Sequence, residues 1–307
     1  MSFGTGLILD SLHTDRLLQE ATGWVAQNLG VVPTHICAYM QGQIGTIYKV
    51  TTSQHTYMLK TSTNANALQV EAQMLHDLSS YGIAVPAVEG EGPMSDGQHY
   101  ALLMHYITPL HYDQATKEKM AAQTLISLHR ISNDARMYGY WYDTTIGPFP
   151  QKNEQTQYNW GLFLGQMRIV PMAQLCYEKG LLSTRMLQGL EYIAHNLYRY
   201  LDLGSITPSL IHGDLWEGNL CFGNDGAVLI DPALYFADRE MELAFLKMFN
   251  TFGKSFWHHY CNELPLSSEF ASVKAPLYEI YPKLVHAALY GPHYLEGLEA
   301  LVRRFGK

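Results

Sequence analysis

The sequence is short of several things, and each shortage closes off a class of protein. It has no block of basic residues: 20 Lys and Arg stand against 28 Asp and Glu, a formal charge of −8. Binding nucleic acid through its phosphates needs clustered cations, so that class is set aside. The acid excess is diffuse and mainly favours solubility. Only four cysteines occur in 307 residues, Cys37, Cys176, Cys221 and Cys261. They are widely scattered, no pair has metal-ligand spacing, and reduced thiols are expected. Cys221 falls in an apolar run where a small buried residue belongs. No stretch approaches the ~20 apolar residues that cross a bilayer, so no membrane association is expected. Met1 to Asp10 has neither a basic flank nor a long apolar run, so no signal peptide is expected and the chain reads as cytoplasmic. Internal repeats and low-complexity segments are also missing.

What is there is an ordinary globular composition, 47% hydrophobic and 16% charged. The length suffices for two domains with sizeable cores. Leu12 to Leu29 has helical spacing. Ile36 to Met40, Ile47 to Thr51 and Thr56 to Lys60 are strand-like runs separated by turns. Asn64 to Tyr81 reads as a helix with a Leu68, Leu75, Leu78, Tyr81 stripe, stopped by Gly82 and followed by Pro86. A further strand pair brackets Glu89 to Gly97 and ends at Ala101 to Met104. After His105 the pattern turns helical: Asp113 to Ile131 with Asp113 as N-cap, Trp160 to Glu178, and Ser183 to Leu203. Ser132 to Tyr158 reads as a long polar, aromatic, functional or mobile loop. The expected fold class is α+β. A sheet lobe with one helix on it, 1–105, precedes a mainly helical lobe, 106–307.

The densest chemistry lies at His212-Gly213-Asp214-Leu215-Trp216-Glu217-Gly218-Asn219, followed by Asp231-Pro232-Ala233. Phosphoryl transfer asks little of a protein: a carboxylate to orient the attacking hydroxyl, and oxygen ligands for magnesium. Asp214 fits the first role, Asn219 and Asp231 the second. Between them, Leu220 to Phe222 and Ala227 to Ile230 are apolar runs around the turn signal Gly223-Asn224-Asp225-Gly226. That hairpin would return Asp231 to the side of Asn219.

Other parts fit the same chemistry. Lys60 ends a strand, and Glu71 lies eleven residues on, in a helix. A strand lysine paired with a helix glutamate holds nucleotide α- and β-phosphates. Gly42, Gln43 and Ile44 join the first two strands, where backbone N–H groups can face phosphate. Met104, His105 and Ile107 end the last strand before the helical half, the place for backbone contacts to adenine. Asp238 to Phe245 starts a helix. Its acids read first as a charged, capping first turn, with Glu242 as a second candidate, bracing the catalytic loop through backbone amides.

With these residues in view, the chain resembles the fructosamine kinases (ketosamine 3-kinases). They belong to the protein-kinase-like superfamily shared with aminoglycoside phosphotransferases and choline kinases. Gly213 stands where protein kinases have Arg. Trp216 within the His-Gly-Asp-Leu-Trp-Glu-Gly-Asn run, and Asp231-Pro232-Ala233 with Arg239-Glu240 beyond, are similar to the narrower family. So are Leu128-His129-Arg130, Ile146-Gly147, Gln151-Lys152-Asn153, Trp160, Phe163, Arg168 and Pro171. The similarity continues through Pro276 to Tyr278, Tyr281, His286, Tyr290-Gly291 and Tyr294, and runs from about Leu17 to Phe305. Gln41-Gly42-Gln43 departs from the family's paired glycines and sometimes redox-sensitive Cys. His105 replaces an acidic residue, and His286 to Leu289 is less polar than the family pattern.

The resemblance implies a two-lobe protein-kinase-like fold, ATP and Mg²⁺ as cofactors, and phosphorylation of a ketoamine's 3-hydroxyl. The ketoamine is carried on a small amine or on protein lysine. Trp216, with His286 and Tyr290, is expected to line the substrate side, where aromatic faces suit a sugar or the flat ketoamine chain. Two alternatives stay open. One is a kinase of aminoglycosides or choline-like amines; the other is a nucleotide-binding module without turnover. Oligomeric state is not legible.

Overall fold

The computed structural model describes residues 11–42, 44–133, 135–153 and 158–306. The readings made for Met1 to Asp10 and for Gln43 lie outside the described residues. The chain divides into two compact units. One runs to Ser80 and includes Val85–Thr108; the other comprises Tyr81–Ala84 and Pro109 onward.

The first unit opens with helix α1 (Ser11–Leu29). Strands β1 (His35–Gln41), β2 (Thr46–Thr51) and β3 (Thr56–Ser62) follow, then α2 (Ala65–Ser80), β4 (Val88–Pro93) and β5 (Tyr100–His105). The strands form one antiparallel sheet in the order β1-β2-β3-β5-β4. Period-two alternation explains why β5 is apolar throughout. Ala101 and Leu103 pack with Trp24, Val25, Val50 and Leu59 on the α1 side. Leu102 and Met104 pack with Leu68, Ala72 and Leu75 of α2. The same alternation turns Lys60, next to Leu59, towards α2.

The second unit is mainly helical. Helix α3 (Gln114–His129) is capped by the Asp113 carboxylate, which accepts from the Thr116 amide. Residues 132–158, expected to be a loop, contain a short antiparallel hairpin, β6 (Thr144–Ile146) and β7 (Phe149–Gln151). The segment from Trp160 to Glu178 is helical but not uniform. α4 (Trp160–Phe163) passes through a π turn, Leu164–Ile169, into α5 (Val170–Glu178). Pro171 sits in the first turn of α5. Next, α6 (Thr184–His195) stops at Asn196, short of Leu203 where the sequence pattern runs on. The Asn196 side chain donates to the Tyr192 carbonyl there, competing with the helix ladder.

Four short strands follow: β8 (Ser209–Ile211), β9 (Leu220–Gly223), β10 (Gly226–Leu229) and β11 (Tyr235–Ala237). β9 pairs with β10, and β8 with β11. The chain ends with α7 (Arg239–Met248), α8 (Lys254–Glu263), α9 (Ala275–Tyr278), α10 (Ile280–Tyr290) and α11 (Leu298–Phe305). Among the described residues no helix is long and apolar enough to cross a membrane. All four cysteines are free, and Cys221 is half-buried rather than buried.

Candidate active site

Strand β8 delivers His212, Gly213 and Asp214 to one end of the β8–β11 ladder. Gly213 has φ +85°, and a Cβ there would meet the Ala233 carbonyl at 2.2 Å, so glycine is required twice over. The Ala233 amide donates to the His212 carbonyl at 2.8 Å, tying the two ends of the loop together. The buried His212 ring contacts the Ile230 carbonyl through Nε2 at 2.8 Å.

The β9–β10 hairpin does what its turn signal implies. Leu220 faces Leu229, and the Ile230 amide donates to the Asn219 carbonyl at 3.1 Å. Asp231 therefore emerges beside Asn219. It does so at φ +52°, in the left-handed region where Asp and Asn are the tolerated non-glycine residues. The Asn219 amide nitrogen donates to the Asp214 carbonyl at 2.7 Å and to Asp214 Oδ2 at 3.3 Å. That use of the NH₂ leaves Oδ1 as the atom to meet a cation. One amide oxygen and one carboxylate suit Mg²⁺, which keeps several waters and shares its remaining positions with phosphates. No cluster of three or more His, Cys, Asp and Glu that could form a protein-only metal cage occurs among the described residues.

Burial, and then the charge of Asp231, push the Asp214 carboxyl up to about 7, while the Asn219 hydrogen bond works the other way. The consequence for the metal-free protein is measurable. Below about pH 4 the group is protonated folded and unfolded alike. Between about 4 and 7 the folded state keeps a proton that the unfolded chain releases, so the penalty grows, and it is constant above 7. Asp214→Asn should therefore stabilise the metal-free protein at pH 8 by about 2 kcal/mol, a discounted figure for a partly exposed group. The gain should vanish near pH 4. Urea titrations at the two pH values check this; equal gains, or a loss at pH 8, contradict it.

Glu242 is the residue whose sequence reading undervalued it. Asp238 caps α7 as the composition suggests, through the Glu240 amide. But Glu242 is buried and braces the loop. Its Oε1 accepts from the Gly213 amide at 2.8 Å, and its Oε2 from the His212 amide at 3.3 Å. His129 pairs with the same carboxylate at 2.9 Å, and its other ring nitrogen meets Tyr260 Oη at 2.7 Å. Burial raises the Glu242 pKa, but the His129 hydrogen bond and the charges of His129 and His212 outweigh it, and the net direction is down. Glu242 is thus an anion held by donors on the loop that carries Asp214.

In the sheet unit, Lys60 Nζ and Glu71 Oε1 are 2.5 Å apart, with side-chain exposures of 13% and 8%. The Gly42 amide donates to the Gly45 carbonyl, and Ser62 Oγ donates to the Ile44 carbonyl at 2.5 Å. A Cβ on Gly45 would sit 1.9 Å from the Thr61 carbonyl. Here the Gly42 amide is engaged by the backbone of its own loop. At the end of β5, Met104 is buried, and the His105 amide donates to the Ala87 carbonyl at 2.9 Å. Only the carbonyl side of His105 suits a nucleotide. Its ring pairs with Glu89 at 2.9 Å. Ile107 lies just beyond the strand.

On the helical unit Trp216 is 44% exposed. His286 sits in an aromatic group with Phe245, Phe249, Tyr290 and Tyr294, at ring separations of 5.0 to 5.7 Å. Burial lowers its pKa. Phe245 also lines a small apolar pocket beside Gly213, with Ile146, Tyr235, Tyr281 and Pro282. Tyr235 reaches Gly213 because β8 and β11 pair with Tyr235 opposite Ile211.

The profile of the fructosamine kinase family matches residues 18–306. A protein of Escherichia coli K12 named a probable ketoamine kinase is 32% identical over 226 residues, 73% of this chain and 76% of its own. A namesake from Enterococcus faecium is 28% identical and covers 86% of this chain and 92% of its own. Among solved structures, a Haemophilus somnus protein assigned as a fructosamine-3-kinase superposes with TM-score 0.81 at 25% identity, covering 94% of this chain and 97% of its own. An aminoglycoside phosphotransferase superposes at 0.66 with 12% identity, covering 92% and 98%, a likeness of fold alone.

Proposed function

The chain belongs to the fructosamine kinase family, phosphotransferases with an alcohol group as acceptor, and we propose that it phosphorylates the 3-hydroxyl of ketoamines with ATP. The observation that carries this reading is the arrangement of Asp214, Asn219 and Asp231 at the two ends of one hairpin. ATP would supply the phosphoryl group and Mg²⁺ would offset its negative charge. Asp214 orients the attacking hydroxyl and accepts its proton. Asn219 Oδ1 and the Asp231 carboxylate would hold the metal. Lys60, held by Glu71, would position phosphate, with the backbone of Gly42 and Ile44 as further contacts. The His105 carbonyl, with Met104 and Ile107 beside it in sequence, would receive the adenine edge. On this reading 1–105 carries the nucleotide groups and 106–307 the catalytic and acceptor groups.

The acceptor reading rests on Trp216, two residues from Asp214, with His286 and Tyr290 as further aromatic surface. An exposed ring suits an open-chain ketoamine better than a polycationic ring system. Aminoglycosides call for gathered acids. Glu279 is half-buried with a raised pKa, and Glu299 pairs with Arg303. Erythrulosamines and ribulosamines are the favoured acceptors, since their open-chain form needs no ring opening, with fructosamines behind. A phosphate on carbon 3 leaves readily once the ketoamine shifts to its enaminol, and the amine is then freed, which would make the reaction a repair of glycated amines or lysines.

The test is ATP consumption with Mg²⁺ and each ketoamine, beside kanamycin and choline. Ketoamine-dependent consumption supports the reading. Robust use of kanamycin or choline with no ketoamine used overturns it, and ATP binding without any turnover points to a binding module.

A further inference from the structure

The indole of Trp216 rests on Gly218. A Cβ built on Gly218 would lie 2.3 Å from Cη2, 2.4 Å from Cζ2 and 2.8 Å from Cζ3 of that ring. These distances exclude any side chain while the ring stays in place. Three neighbouring ring atoms at similar distances mean that Gly218 meets the face of the ring, not its edge. Gly218 has no left-handed φ, so the backbone would accept another residue and only the indole demands glycine. The contact is created by the 3₁₀ turn Glu217–Asn219, in which the Asn219 amide donates to the Trp216 carbonyl at 3.0 Å. Trp216 is nevertheless 44% exposed. One ring face lies on the turn and the other is open.

A large apolar ring left this exposed forgoes burial energy, and glycine in a turn costs backbone entropy. The two costs are borne together, between Asp214 and Asn219. We infer that Gly218 is a positioning residue for acceptor recognition: it seats the Trp216 indole so that its open face is the platform for the carbon chain of the ketoamine. This rests on the functional reading above.

Gly218→Ala, Trp216→Ala and the double variant test it. Losing a seated aromatic platform should raise the ketoamine KM about tenfold in Gly218→Ala, with the ATP KM changed less than about twofold. In the Trp216→Ala background the same change should cost nothing more, because the ring it displaces is gone. The Trp216 emission, isolated by subtracting the Trp216→Ala spectrum, should shift in Gly218→Ala without ligand. In the wild type, a bound ketoamine should protect that emission from acrylamide quenching. Equal effects of Gly218→Ala with and without Trp216 overturn the inference, because glycine then acts on the Asn219 turn. So does an unshifted emission, an ATP KM that moves as much as the ketoamine KM, or a ketoamine that gives no protection. Wild-type turnover is measured first. Its absence with every ketoamine overturns the functional reading and this inference with it; turnover with additive variants overturns this inference alone.

Discussion

Asp214→Asn should lower turnover at saturating ATP and ketoamine by about a hundredfold or more, with ATP affinity little changed. Asn keeps the shape of the side chain and can still accept from the Asn219 amide, which now reaches Asp214 Oδ2 at 3.3 Å. What it removes is the atom proposed to take the proton of the attacking hydroxyl. The loop itself should hold, because Glu242 grips it through the His212 and Gly213 amides and not through the Asp214 side chain. The loss should therefore appear in kcat and not in the ATP KM. Steady-state kinetics with a direct ATP-binding titration separate the two, and near-normal turnover in the variant removes Asp214 from the reaction.

The second large effect is expected at the two proposed metal ligands. Asp231→Asn should cost about a hundredfold or more in magnesium-dependent turnover, because it deletes a charged oxygen ligand. The substitution is backbone-neutral. Asp231 sits at φ +52°, and Asn tolerates that region as well as Asp does. Asn219→Ala should cost less, about tenfold, since the ligand lost is neutral, although its hydrogen bonds to Asp214 go as well. Titrating Mg²⁺ against rate distinguishes a weakened site, partly restored by excess metal, from a collapsed loop. Activity that needs no divalent metal would sink the assignment of both residues.

Much of this arrangement was legible because it is local. The Gly223-Asn224-Asp225-Gly226 turn between two apolar runs fixes the β9–β10 hairpin, and the hairpin fixes Asp231 beside Asn219. Strand alternation places Lys60 opposite Leu59 and so towards α2, where Glu71 waits. What stayed hidden depends on partners distant in sequence. For Glu242 the sequence offers two readings, a charged first turn and a brace on the loop, and what decides between them is the packing of α7 against the β8 end with His129 from α3. Arg168 gave no warning that it would be wholly buried between Phe163 and Tyr235, donating to Asn153 and the Lys152 carbonyl below the β6–β7 hairpin. That hairpin has strands of three residues, too short for periodicity to declare. The bond from the Gly42 amide to the Gly45 carbonyl likewise has no mark in the sequence.

We propose that Asp214 directs a carbon-3 hydroxyl of a ketoamine onto the γ-phosphate of ATP. Locating the phosphate on the product by phosphorus and carbon NMR tests it most directly, using an erythrulosamine or ribulosamine of a small amine. The expected product carries phosphate on carbon 3 and then slowly releases inorganic phosphate and free amine. Phosphate on any other position, or no phosphorylated ketoamine while another alcohol in the same assay is phosphorylated, would contradict it.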